Sequence, residues 1–223
     1  MPNPLSFALF VIGIILLIVF YVVSSLMYQK RHETKYHFYQ MFPYEFNYPA
    51  SFKINFYGNI IFIFGSLAIT AFYIINPLSN LYSIVTMIIA ILMTMLTICL
   101  LLTPLYYLKT HMVLSSLIMT LGVALPTFNI FMAVEKIKYL TDTSSQVICW
   151  ISLVVSALLA LSMILLILNP KLSFKIYMDK AMTIEGEEKL IRPKIIHLAL
   201  AEWWAIFVYF ASPISVLLLL LVK

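Results

Sequence analysis

The sequence is poor in the residues that build a water-facing surface. Charged side chains make up 10% of its 223 residues, against roughly 25% in an ordinary soluble domain. Hydrophobic residues make up 63%, more apolar surface than a soluble fold of this length can hide, so the solvent for most of the chain is lipid. Cysteine is nearly absent. Cys99 and Cys149 fall near opposite membrane faces, about 25 Å apart at helical rise, beyond disulfide reach, and each reads as a small apolar core residue. The five glycines form no phosphate-cradling loop. Walker, Rossmann, nucleophile-elbow and metal-cluster signatures are missing, so the sequence calls for no metal and no cofactor. No internal repeat and no paired Gly/Pro-broken helices occur, which removes one of the better pointers to an inverted-repeat transporter.

What remains is apolar runs of about 20 residues, the length that crosses a hydrocarbon core of about 30 Å. Backbone groups in lipid must be satisfied within their own segment, and the alternation of a membrane barrel is absent, so these runs are helices. The expected fold is all-α: a single polytopic domain of six transmembrane helices over residues 4–28, 54–75, 81–102, 111–133, 147–168 and 195–222. Pro126 and Pro213 are placed to kink the fourth and sixth. The formal net charge of +5 is a topology signal rather than a nucleic-acid footprint, because no basic cluster comes with a soluble domain. Loops one, three and five carry eleven of the fourteen Lys/Arg residues. That asymmetry puts those loops in the cytoplasm and both termini outside. Richness in Ile, Lys, Asn and Tyr suggests a bacterial plasma membrane.

Loop one follows Lys30 and Arg31 with an aromatic block, HFYQMFPYEFNYPASF. Disordered linkers avoid aromatics, so this block is expected in the headgroup layer or against the bundle, with Tyr36, His37, Phe42, Pro43, Tyr44 and Glu45 as candidate partner-docking residues. His32 and His37 are five residues apart, about 140° around a helix, and do not make the HExxH arrangement of a zinc protease. Loop five opens with KLSFKIYMDKAM, where Phe174, Tyr177, Met178 and Ala181 share one helical face. A short amphipathic helix on the inner leaflet is the economical expectation, and a protein-binding helix would look the same.

Further along loop five, the string Glu187-Glu188-x-x-x-Arg192 is similar to a short pattern of the CAAX-type intramembrane proteases. In that family the paired glutamates lie within a membrane helix and work with downstream histidines. Here the acids sit beside Gly186 in a polar loop, Pro193 follows the arginine directly, and only His197 lies downstream.

Glu202 is the sharpest single residue, because an intramembrane carboxylate is expensive and is a functional hypothesis by default. With a helix start at Pro193 it lies about 13 Å along the axis, and Trp203 and Trp204 beside it mark a near-interface depth. Lys53, Lys109, His111 and Arg192 are its expected neighbours at the same face. A stripe through Ala199, Glu202, Ala205, Tyr209 and Ser212 runs down the sixth span. Similar stripes occur on the third (Thr86, Ala90, Thr94, Thr97), fourth (Ser116, Thr120, Ala124, Thr127) and fifth (Ser152, Ser156, Ala160), the small-residue pattern of helix packing.

Three readings follow. The first is a non-enzymatic subunit, assembly factor or scaffold of a membrane complex, held in the bilayer and docking a protein partner through loops one and five. The second is a small transporter or channel using Glu202, with His197, Arg192, His111 and Lys109 as further functional candidates. The third is a membrane enzyme acting on lipid or peptide through Glu187, Glu188, His197 and Glu202.

Overall fold

The computed structural model describes residues 3–48, 51–76, 81–103, 108–172, 180–184, 187–191 and 193–222. Among them, six helical segments are long and apolar enough to cross a membrane: Pro4–His32, Phe52–Ile75, Leu81–Leu102, Lys109–Ile137, Thr143–Ile167 and His197–Leu221. The helices are α1 (Pro4–His32), α2 (Phe56–Ile75), α3 (Leu81–Leu102), α4 (Leu108–Ile137), α5 (Thr143–Ile167), α6 (His197–Ala211) and α7 (Pro213–Leu221). The expected bundle of six helical spans is therefore what the described residues build, a multi-pass membrane architecture.

The ends of these helices follow from local chemistry. Asn3 caps α1 by accepting from the Leu5 amide (3.0 Å), with Pro4 in its first turn. The same helix runs one turn beyond the expected boundary at Tyr28. Lys30, Arg31 and His32 complement its C-terminal dipole, and Glu33, at φ 57°, returns its N–H to the Gln29 carbonyl. Asp142 caps α5, accepting from the Ser145 amide at 2.8 Å. The two prolines behave differently. Pro126 stays inside a continuous α4, whereas Pro213 separates α6 from α7 at Ser212. At that break the Ser212 carbonyl also accepts from Asn129 Nδ2 on α4 (3.2 Å), which ties the break to a neighbouring helix.

Helices α1 to α5 pack one on the next in chain order, and the broken sixth span lies within this arc, touching all five. Accordingly 61% of its apolar window is buried, against 17% for α1 and 22% for α5, which end the arc. The seam of α1 with α2 is the tightest, because glycines remove side chains from it. A Cβ on Gly58 would collide with Ser24 Oγ and reach Asn55 Oδ1 at 2.5 Å, and a Cβ on Gly13 or Gly65 would lie 3.5 Å from the other's carbonyl.

The aromatic block of loop one takes the second of its two expected places, against the bundle: residues 41–47 fold back over one end of it as a short 3₁₀ turn, Pro43–Asn47, and are buried. Arg31 Nη2 donates to the Phe46 carbonyl (2.7 Å). Asn47 and Asn59 exchange amide hydrogen bonds at 3.1 and 2.7 Å, and Asn47 also reaches the Leu101 carbonyl at the end of α3 (2.9 Å). In loop five, Lys180–Ile184 (β1) and Glu187–Ile191 (β2) pair as an antiparallel hairpin, Lys180 opposite Ile191. Ala181 and Met182 thus belong to a strand rather than to the expected amphipathic helix; Phe174, Tyr177 and Met178 lie outside the described residues.

Candidate functional site

The sequence leaves four possible partners for Glu202, and the structure selects His111. Helix α6 begins at His197, not at Pro193, because Ile196 is extended and donates its N–H to the Tyr39 carbonyl of loop one at 2.8 Å. Glu202 therefore sits in the second turn, about 7.5 Å from the helix start rather than 13 Å. It is fully buried, as is His111 near the start of α4. His111 Nε2 lies 2.9 Å from Glu202 Oε1, and Ser115, one turn along α4, donates its hydroxyl to the same oxygen at 2.5 Å.

The other imidazole nitrogen fixes the tautomer. His111 Nδ1 is 2.9 Å from the Thr103 carbonyl, which only accepts, so Nδ1 carries a hydrogen. Two arrangements then satisfy Nε2: an imidazolium donating to a carboxylate, or a neutral imidazole accepting from a carboxylic acid. Ser115 has one proton and two acceptors in reach, Glu202 Oε1 and the His111 carbonyl at 2.9 Å, so its rotor can follow either arrangement. Both leave the pair neutral overall, which makes it tolerable in an apolar interior. Glu202 Oε2 is buried and has no hydrogen-bond partner among the described residues.

Loop one forms the cover. The rings of Phe42 and Tyr44 meet His111 edge-on, with centroids at 5.7 and 5.4 Å. Tyr36 donates toward the Met41 and Phe42 carbonyls (3.1 and 2.8 Å), and Trp203 Nε1 approaches both the Tyr36 hydroxyl and the Met41 carbonyl at 3.1 Å. The Phe42 amide donates to Glu45 Oε1 at 2.8 Å. Burial, with Glu45 and Glu202 nearby, holds the Tyr36 phenol well above its ordinary range, so it stays neutral.

Tyr36, Phe42, Pro43, Tyr44 and Glu45 are therefore interior residues that roof the carboxylate, because the aromatic block finds its apolar partners within its own bundle. His37 is half-buried at the rim. Of the other functional candidates, Lys109 is exposed at the start of α4, His197 is half-buried at the first position of α6, and Arg192 lies outside the described residues. Glu187 and Glu188 lie on β2 and not in a membrane helix, so the disposition that the protease resemblance requires is absent. Among the described residues no three His, Cys, Asp or Glu side chains converge as metal ligands.

Further polar groups line the same central span. Tyr209 donates to the Ser66 carbonyl (3.0 Å) and meets Thr94 and Thr70 at 2.6 and 3.1 Å. Below it, Asn129 Nδ2 reaches Ser215 Oγ (2.9 Å), and Ser152 donates to the Ser215 carbonyl (2.8 Å). The stripes expected on α3, α5 and α6 are buried, but Ser116 and Thr120 of α4 are exposed. The buried face of α4 is His111, Ser115, Gly122 and Asn129, one residue out of phase. Ser115 and Asn129 were thus not picked out from sequence; their spacing of four and eighteen residues from His111 on one helix face is the signal that points to them.

Comparison with protein-family models, curated protein sequences and solved structures returns no match.

Proposed function

We propose that the protein is a small ion-coupled transporter or channel, with the Glu202–His111 pair as its proton- or cation-binding site. One observation carries this reading: a fully buried carboxylate whose Oε1 is held by an imidazole and a hydroxyl while Oε2 has no partner among the described residues. A buried acceptor without a partner calls for an occupant, and intramembrane carboxylates mark ion and proton pathways. The polar groups around Tyr209 and Ser215 extend the hydrophilic lining along the same helical span. The burial of loop one also favours this reading over docking through that loop, since a roof over the pair fits a gate. The orientation with both ends outside, and a bacterial plasma membrane, belong to the proposal.

The test is ion flux in proteoliposomes containing a pH-sensitive dye, driven by an imposed potential. Wild type should conduct protons or exchange them for a cation, and Glu202→Gln, shown to be folded by its melting curve, should not. Equal flux in the two, or no flux above protein-free liposomes from folded wild type, overturns the reading.

A second reading, a subunit of a membrane complex, is favoured by the loop-five hairpin. Two strands alone are of marginal stability in water, and no third strand pairs with β1 or β2 among the described residues. Their open edges fit strand addition by a partner. A stoichiometric partner that survives washing and is lost on deletion of residues 180–191 would establish it; a monodisperse protein without a partner would remove it.

A further inference from the structure

The arc of helices is not closed by a packed seam between α1 and α5, and at that gap the flank of α6 is reached from the lipid. A cleft of about 350 Å³ lies there, walled by Leu17, Ile18 and Tyr21 of α1, Phe38 of loop one, and Trp203, Trp204 and Phe207 of α6. Its walls are held open. Trp203 is pinned by its indole hydrogen bonds to loop one. Trp204 donates to Ser162 Oγ of α5 at 2.8 Å and stacks on Phe207 at 4.8 Å. Neither indole can swing in to fill the space without breaking its hydrogen bond.

Tyr21 is shared with an adjoining cavity of about 260 Å³ whose lining turns polar, with Gln29 and Lys35 beside Tyr36. Lys35 is exposed and forms no ion pair among the described residues. Around it the chain carries Lys30, Arg31 and Lys35 against a single acid, Glu33, and the Arg31 guanidinium is already engaged by backbone carbonyls. The site is thus an apolar slot between spanning helices that shares Tyr21 with a more polar cavity lined by Lys35.

The geometry points to a bound anionic phospholipid, with one acyl chain in the cleft between α1 and α6 and the headgroup phosphate on Lys35. Bulk lipid tails are as apolar as the cleft walls, so the chain alone gives no preference. Selectivity must come from the headgroup, where one unpaired lysine contributes a factor of about five. A free phosphate would make no use of the apolar slot, which argues for the lipid. The proposal stands independently of ion coupling.

The two tryptophans report on it directly. In a Trp150→Phe background, reconstituted with phospholipids carrying brominated acyl chains, emission from Trp203 and Trp204 is quenched when a brominated chain enters the cleft. Brominated phosphatidylglycerol should reach half-quenching at about a fivefold lower mole fraction than brominated phosphatidylcholine. Lys35→Gln should bring the two together, and Ile18→Phe, which narrows the slot from its exposed side, should reduce quenching by both. Equal quenching by the two lipids in the parent protein means annular lipid only and overturns the proposal, as does a Lys35→Gln variant that keeps the preference. Unchanged melting curves of both variants exclude misfolding as the cause.

Discussion

Removing the His111 side chain should be among the most damaging single changes in this protein. Glu202 is wholly buried, and His111 is the one ionisable side chain paired with it among the described residues. Breaking a buried pair by deleting one member costs about 3–5 kcal/mol, because the remaining group is left uncompensated. The lower end applies here, since Ser115 still donates to Oε1 and the second-turn position is shallow. His111→Ala also removes the ring that Phe42 and Tyr44 meet edge-on, about 0.5–1.5 kcal/mol per pair. The expected total is about 4 kcal/mol. His111→Phe keeps the ring and isolates the polar contribution at about 3 kcal/mol. His111→Leu combined with Glu202→Met removes both polar groups and should return stability to near wild type. Equilibrium unfolding in mixed micelles, followed by tryptophan emission and extrapolated linearly, measures all three. A His111→Phe variant within about 1 kcal/mol of wild type would refute the claim that the imidazole compensates a buried carboxyl group. Ion flux through the stable double variant then separates roles, for a purely structural pair would leave transport intact.

Other expectations follow from the same geometry. Gly58→Ala should loosen the α1–α2 seam by about 1–3 kcal/mol, since its Cβ meets Ser24 and Asn55; the same unfolding assay measures it. Asn129→Leu strips the donor from the Ser212 carbonyl and Ser215 hydroxyl and should cost about 0.6–1.7 kcal/mol, the span measured for interhelical hydrogen bonds in membranes. Donation from Ser145 and Ser144 holds the Asp142 carboxyl below its ordinary value of 3.8. Its contribution to the start of α5 is therefore present above that value and lost as pH falls through the lower folded value. Amide exchange over residues 144–148 should rise on acidification there, and Asp142→Asn should abolish that dependence. Absorbance titration at alkaline pH should show the number of phenols that resist ionisation fall by one in Tyr36→Phe, because burial holds the Tyr36 phenol well above its ordinary range.

Much of the architecture was legible in sequence for a plain reason. In lipid, length and hydropathy alone decide where a helix crosses, so 81–102 matches α3 to the residue and 54–75 falls within two of the second span. The carboxylate was legible for the same reason, since Glu202 violates the apolar rule. Its partner was not. Lys53, Lys109, His111 and Arg192 all fall near one face, and only the packing of α4 against α6 selects among them. A phase error of one residue, 100° on a helix, moved the expected α4 stripe to Ser116 and away from Ser115. Loop one was harder still. Aromatics next to basic residues look the same whether they face headgroups or fold inward, and what turned them inward is a set of long-range contacts, such as Asn47 with Asn59 and Trp203 with Tyr36.

The central position of His197–Leu221 has a consequence for how the protein is made. Synthesis runs from the N-terminus, so the five surrounding helices enter the membrane before the helix they enclose. Until it arrives, His111, Asn129 and Ser152 lack the partners they have in the finished bundle. Each is then a polar group on a helix already committed to lipid, at a cost lifted only when the sixth span slots in. Assembly should therefore be late and abrupt. A nascent chain stalled before residue 197 should be recognised as incomplete by membrane quality control, whereas one held by an added C-terminal linker long enough to bring His197–Leu221 clear of the ribosome should already be closed.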